Sequence, residues 1–295
     1  MDGFPISTTS SLQELTIHNC YVNHIMGFCK NSIKGSSLKN VTISDCKFRE
    51  TGLSKIKIAC SSLVNLTLRG CVFGLGCYVS IGCPLLENLT IHRCFVNESY
   101  GIDIRHCPSL TNLMMSHCTF QLLYLNIPTS SLRKLSVFEC SSQFPVRIAV
   151  SAEQLQTLSV KFSSLLIKDM SISVLRAVQY ARVLQLSIQI IEVLSSEDHA
   201  EILFENLCDL VIVCDKLEVC QMIVLACFVM RAPYLRTLTI RYEHKSGGFS
   251  ETEVKEDLAK LLSSAVKMHQ LKYGNSETLL LGDQLMKLKL SLQKN

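Results

Sequence analysis

One nine-residue phrase recurs along the first half of this chain, and it constrains the fold more than any other feature. The phrase is L-x-x-L-x-L-x-x-C. It occurs at Leu12–Cys20, Leu38–Cys46, Leu63–Cys71, Leu86–Cys94, Leu110–Cys118 and Leu132–Cys140. A seventh copy, from Leu155 to Val160, has Ser163 where cysteine is expected. The first leucines advance by 26, 25, 23, 24, 22 and 23 residues. A fixed period of this size marks a repeat architecture, in which a unit buries its apolar face only against its neighbours. The central L-x-L alternates with the period of a strand. Successive strands are therefore expected to stack in parallel, with their leucines in one inward column and the intervening residues outward.

The template and period are those of leucine-rich repeats. The resemblance implies an α/β repeat, a leucine-rich-repeat solenoid curved into a right-handed horseshoe with a parallel concave sheet. Cys20, Cys46, Cys71, Cys94, Cys118 and Cys140 then form a structural ladder in the turn after each strand, where a thiol serves as a small hydrophobe and weak donor. Cys60, Cys83 and Cys107 stand three residues before a first leucine. The spacing has no short C-x-x-C pair of the kind that converges on zinc, so no metal is expected. The cysteine count of 15 is odd, which forbids complete internal pairing. With no signal-peptide pattern at Met1–Pro5 and no long apolar run, the reading is a cytoplasmic or nuclear protein with free thiols and no membrane contact.

The segments between template copies also alternate, as in Ile56–Ile58, Tyr78–Ile81, Ile102–Ile104, Leu123–Ile127 and Val146–Val150. They predict short strands, forming an irregular second sheet on the convex side of residues 1–165. Over 166–245 the repeats lengthen, and helices are expected at Asp169–Gln179, Ser196–Asn206 and Val219–Met230. Strands are expected at Val183–Ile188, Leu207–Ile212 and Leu235–Ile240. Residues 246–295 read as a helix, Ser250–Lys267, and a poorly patterned tail with a possible strand at Leu288–Leu292.

Two phrases narrow the resemblance: Cys83-Pro-Leu-Leu-Glu-Asn-Leu-Thr-Ile-His-Arg-Cys94 and Ala232-Pro-Tyr-Leu-Arg-Thr-Leu-Thr-Ile240. Over about residues 10–245 the chain resembles the leucine-rich region of plant F-box/LRR proteins. That resemblance implies a protein-binding solenoid, the target-recognition arm of an SCF-type ubiquitin ligase. The family's F-box, which docks a Skp-type adaptor, has no counterpart here, because the first repeat begins near residue 10. An adaptor is expected only if an F-box lies upstream. The alternatives are a stand-alone scaffold or decoy, or a non-functional truncated fragment of such a protein.

Outward positions supply the candidate contacts. The third column reads Glu14, Asn40, Asn65, Asn88, Asn112, Lys134 and Thr157, and the fifth is mostly Thr and Ser. Both suit a polar sheet surface. The seventh column is chemically richer. His18, Arg69, His92, Phe138 and Lys161, with Arg241 farther along, are the expected concave-face contacts for a protein target. The sequence carries no G-x-S-x-G, H-E-x-x-H or phosphate-binding loop, so neither catalysis nor a cofactor is expected. The balance of 29 basic against 25 acidic residues, a net charge of +4 with no basic run, does not point to nucleic acid.

Overall fold

The structure is a computed structural model. It describes residues 6–7, 11–24, 32–50, 54–74, 77–97, 102–121, 124–127, 130–142, 147–150, 154–162, 179–195, 202–215, 217–243, 260 and 289–294. The chain forms two compact units, Met1–Leu155 with Phe162–Ala177, and Gln156–Lys161 with Val178–Asn295.

In the first unit the L-x-L phrases form the front strands Glu14–His18, Asn40–Ser44, Asn65–Arg69, Asn88–His92 and Asn112–Ser116, followed by Lys134–Ser142. They pair in parallel and in strict register: Leu66 opposes Val41 and Leu89, and Arg69 opposes Ser44 and His92. The fourth and sixth residues point inward. Val41, Ile43, Leu66, Leu68, Leu89, Ile91, Leu113, Met115, Leu135 and Val137 are all buried.

The return path is also built of parallel strands. Ile6–Ser7, Ser32–Lys34, Ser54–Ala59, Cys77–Ile81 and Ile102–Asp103 form a five-stranded parallel back sheet. Tyr124–Ile127 and Arg147–Val150 pair separately. A third parallel sheet runs through Tyr21–His24, Lys47–Glu50, Val72–Phe73, Phe95–Val96, Thr119–Phe120 and Ser141–Ser142. Its inward aromatics fill the space behind the cysteines: Phe48 and Phe73 stack with centroids 5.2 Å apart, and Phe73 and Phe120 are fully buried.

The fold is therefore a parallel β-solenoid, which corrects the expected leucine-rich-repeat horseshoe. The physical difference lies in the return path. A horseshoe curves because its convex side is bulkier than its strands, which fans the coils apart. Here the back is itself hydrogen-bonded in parallel register, so front and back keep the same spacing of about 4.8 Å per coil. No wedge remains to bend the front sheet into a concave one. The likeness to plant F-box/LRR proteins falls with the horseshoe, and so does the target-recognition arm inferred from it.

A recurring corner joins front and third strands. The residue before each ladder cysteine is left-handed: Asn19, Asp45, Gly70, Arg93, His117 and Glu139, with φ of 53, 54, 60, 52, 53 and 50°. One such residue between extended neighbours turns the chain sharply. The ladder continues through it, because Asp45 N–H donates to Arg69 O at 2.8 Å and Arg93 N–H to Ser116 O at 2.9 Å. Past the corner the direction of donation reverses: Val72 N–H reaches back to Cys46 O at 2.9 Å, and Phe95 N–H to Cys71 O at 2.8 Å. Backbone polar groups stay paired around the bend, as a buried turn requires.

The cysteines sit just inside this corner. Cys71, Cys94 and Cys118 Sγ donate to Ile43 O, Leu68 O and Ile91 O of the preceding coil at 3.4, 3.5 and 3.4 Å. Cys60, Cys83 and Cys107 do the same at the back, toward Ile33, Ile58 and Ile81. In each case the contact runs to the coil before.

The second unit stacks Thr157–Phe162, Val183–Ser187, Asp209–Cys214, Thr237–Tyr242 and Lys289–Lys294 in parallel. Helix α1 (Ile188–Leu194) follows a strand directly, and α2 (Val219–Met230) occupies the segment read as a helix. Arg231 ties the two together. Its guanidinium donates to Leu194 O at 2.7 Å, at the end of α1, and stands 5.4 Å from the Phe204 and 5.6 Å from the Phe228 ring centroid. The helix expected over Ser196–Asn206 is not formed in its described part, 202–206, which is irregular and ends in a turn. The helix expected at Ser250–Lys267 lies outside the described residues apart from Lys260, and that at Asp169–Gln179 apart from Gln179. No described helix is long and apolar enough to cross a membrane.

Candidate functional site

Two ladders run along the outward front face of the first unit. The third column is a continuous amide chain. Asn40 Nδ2 donates to Glu14 Oε1 at 3.1 Å, Asn65 to Asn40 Oδ1 at 2.7 Å, Asn88 to Asn65 at 2.7 Å and Asn112 to Asn88 at 2.6 Å. Each amide is consumed by its neighbours, so this column is structural.

The seventh column and the adjoining corner residues form an edge of different character. At its beginning, His18 Nδ1 lies 2.9 Å from Ser44 Oγ and 3.5 Å from Asp45 Oδ2. The same histidine–serine rung returns three coils later, where His92 Nδ1 lies 2.9 Å from Ser116 Oγ. There the surroundings are rings and charges. His92 meets His117 edge to face at 5.5 Å, and His117 meets Phe138 at 6.2 Å. His117 Nδ1 is paired with Glu139 Oε2 at 2.8 Å. Arg69 precedes His92 in register, and Arg93 follows it at the corner. Both arginines are exposed, and neither has a carboxylate partner among the described residues.

The field at this edge registers on His92. Its pKa lies below the ordinary value, first because it is partly buried and then because Arg93, His117 and Arg69 surround it with positive charge. At neutral pH it is therefore an uncharged imidazole among cations. Its Nδ1 is engaged by Ser116, which leaves Nε2 as the outward nitrogen.

The corner conformation adds a second observation. The first three coils place Asn19, Asp45 and Gly70 there, residue types that reach the left-handed region at least cost. Coils four to six place Arg93, His117 and Glu139 there. Histidine visits the region more often than most residues, but arginine and glutamate do so at about 1–2 kcal/mol each. Non-glycine residues held in this region against such a cost cluster at functional sites.

The sequence-derived candidates thus separate. His18, Arg69, His92 and Phe138 belong to the first unit, and Arg69, His92 and Phe138 border one stretch of edge. Lys161 and Arg241 belong to the second unit, where Lys161 is ion-paired with Glu243 and both side chains are largely covered. The face is the flank of a β-solenoid, not the inner surface of a horseshoe. Arg93, His117 and Glu139 went unnoticed in the sequence. The available signal was the eighth template position, where the run Asn19, Asp45, Gly70 already spells a left-handed turn.

Three of the buried thiols stay protonated at neutral pH. Burial pushes Cys46 and Cys107 up to about 11 and Cys214 up to about 12. No group of three or more His, Cys, Asp or Glu among the described residues could hold a metal ion. No protein-family profile matches the chain, and no curated protein matches it.

Proposed function

We propose that this chain is a non-catalytic binding module and that the edge of coils three to six, Arg69 to Glu139, is its contact surface for a segment of a partner protein. The observation that carries this reading is the corner series. Arg93 and Glu139 occupy backbone positions where Asn or Gly would serve the fold better, and they stand at the ends of strands paired in parallel register. Interfaces favour arginine and aromatic anchors, and a backbone already held in a sheet loses little further entropy on binding. Free thiols packed in the core suit a reducing compartment, cytosol or nucleus.

A random peptide display selection on the purified chain tests the reading. The discriminating variant is Arg93→Gly with Glu139→Gly. Glycine suits the left-handed corners, so the double variant keeps the fold while removing both side chains. Selected peptides are expected to bind the variant at least about tenfold more weakly, the equivalent of one interface anchor. A selection that yields only peptides indifferent to the substitutions overturns the proposal.

A further inference from the structure

We propose that the front strand of the first coil, Glu14–His18, is a self-association edge that joins two copies of this chain antiparallel, about a two-fold axis centred on Thr16. The inference stands apart from the contact surface of coils three to six, and neither depends on the other.

The first coil leaves open what the later coils cover. Among the described residues its front strand pairs on one side alone, with Asn40–Ser44. Leu12 is 39% exposed, whereas Leu38, Leu63 and Leu86 are at 0%. Leu15, Ile17 and Cys20 are half-buried, whereas their counterparts in coils two to six are all buried. The main chain is open as well. Gln13 O and Asn19 N–H bond toward the second coil. Strand residues alternate in direction, so Glu14, Thr16 and His18 turn their N–H and C=O groups the other way. An open edge of this kind is a template for another strand.

A second copy fits this edge because the strand is complementary to itself. The apolar positions of L-x-x-L-x-L-x-x-C read the same from either end about the fifth residue, here Thr16. Antiparallel pairing on Thr16 sets Leu15 against Ile17 of the copy on the inward side, and Leu12 against Cys20, apolar on apolar. On the outward side Glu14 meets His18 of the copy, and symmetry repeats the pair. Glu14 gives Oε1 to Asn40 and keeps Oε2, and His18 places Nδ1 beside Ser44 and keeps Nε2. A carboxylate facing a basic ring across two strands is a stabilising pair. The other coils of the first unit carry Asn40 with Ser44, Asn65 with Arg69, Asn88 with His92, Asn112 with Ser116 and Lys134 with Phe138 at these positions, so none sets an acid against a base. The main chain agrees with this register. Glu14, Thr16 and His18 are the residues whose polar groups face outward, and opposed antiparallel residues of that kind exchange both N–H···O bonds. The contact is isologous, so it closes at two copies.

The test is sedimentation velocity of the purified chain under reducing conditions, between about 1 and about 100 μM. A reversible monomer–dimer equilibrium is expected. His18→Glu sets carboxylate against carboxylate and should weaken the dimer at least about tenfold, and adding Glu14→His should restore most of that loss. Thr16→Pro removes an N–H that faces away from the second coil, so it should abolish the dimer while circular dichroism shows the chain still folded. Thr16→Cys gives a readout without a change of backbone. The two-fold axis brings position 16 against itself, so mild oxidation should link two copies there, as a peptide map shows. A monomer over the whole concentration range overturns the inference. So does a dimer that ignores both Thr16→Pro and the exchange of charges, or one that is not linked through position 16. Association that grows past two copies means head-to-tail stacking and overturns it as well.

Discussion

The amide ladder of the front sheet has a direction, and that direction can be tested. Every Nδ2 points toward the N-terminal coil, and the series ends on Glu14. A carboxylate only accepts, so Glu14 forces Asn40 to present its amide, and Asn40 in turn orients Asn65 and Asn88. Asn88→Asp keeps the acceptor that Asn112 uses but deletes the donor to Asn65, bringing two oxygens together where 2.7 Å now separates donor and acceptor. Asn65 can rotate to donate, but then Asn40 must rotate as well, and its oxygen meets the Glu14 carboxylate. The fault moves along the ladder without disappearing. One lost hydrogen bond in a half-buried column, with its oxygen–oxygen repulsion, costs about 1–2 kcal/mol. Glu14→Gln offers a donor at the end of the chain, allows the reversed ladder, and should recover about 1 kcal/mol. Residues 14 and 88 are three strands apart, about 14 Å. Substitutions so far apart normally add to within about 0.3–0.5 kcal/mol. Urea unfolding of the wild type, both single variants and the double variant gives the coupling. A value near 1 kcal/mol in favour of the double variant is expected. Asn88→Ala asks for no reversal and should show no coupling to Glu14→Gln. Additivity of Asn88→Asp with Glu14→Gln would refute a polarised ladder.

Gly70→Ala places a methyl group in the left-handed region at φ +60° and against the Asp45 carboxylate, and should lower stability by about 1–2 kcal/mol, read as a drop in melting temperature. Under native conditions near neutral pH, a thiol reagent followed by mass spectrometry should modify the exposed Cys220 and Cys227 quickly and leave Cys46, Cys107 and Cys214 protected until the chain unfolds. Stability should fall as pH drops below about 6.5, because His92 in the native protein titrates lower than in the unfolded chain, which then binds the extra proton. His92→Gln should flatten that slope in unfolding curves collected across the range.

What could be read in the sequence was the front sheet. The inward columns, the outward columns and the parallel register follow from L-x-L at a fixed period. The back strands were also visible, as in Ile56–Ile58 and Tyr78–Ile81, although they were expected to be irregular. The third sheet was not visible, because Val72–Phe73, Phe95–Val96 and Thr119–Phe120 are two residues long and carry no period. That omission decided the fold, since a repeat with strands on front and back alone is compatible with a horseshoe. Helix α1 escaped because Ile188-Gln-Ile-Ile continues a strand-like apolar run out of Val183–Ser187, and only packing tells the two apart. For the site, the seventh column brought forward His18, Arg69, His92 and Phe138. Their partners His117 and Glu139 were hidden because a corner residue follows the backbone rather than the alternation of a strand.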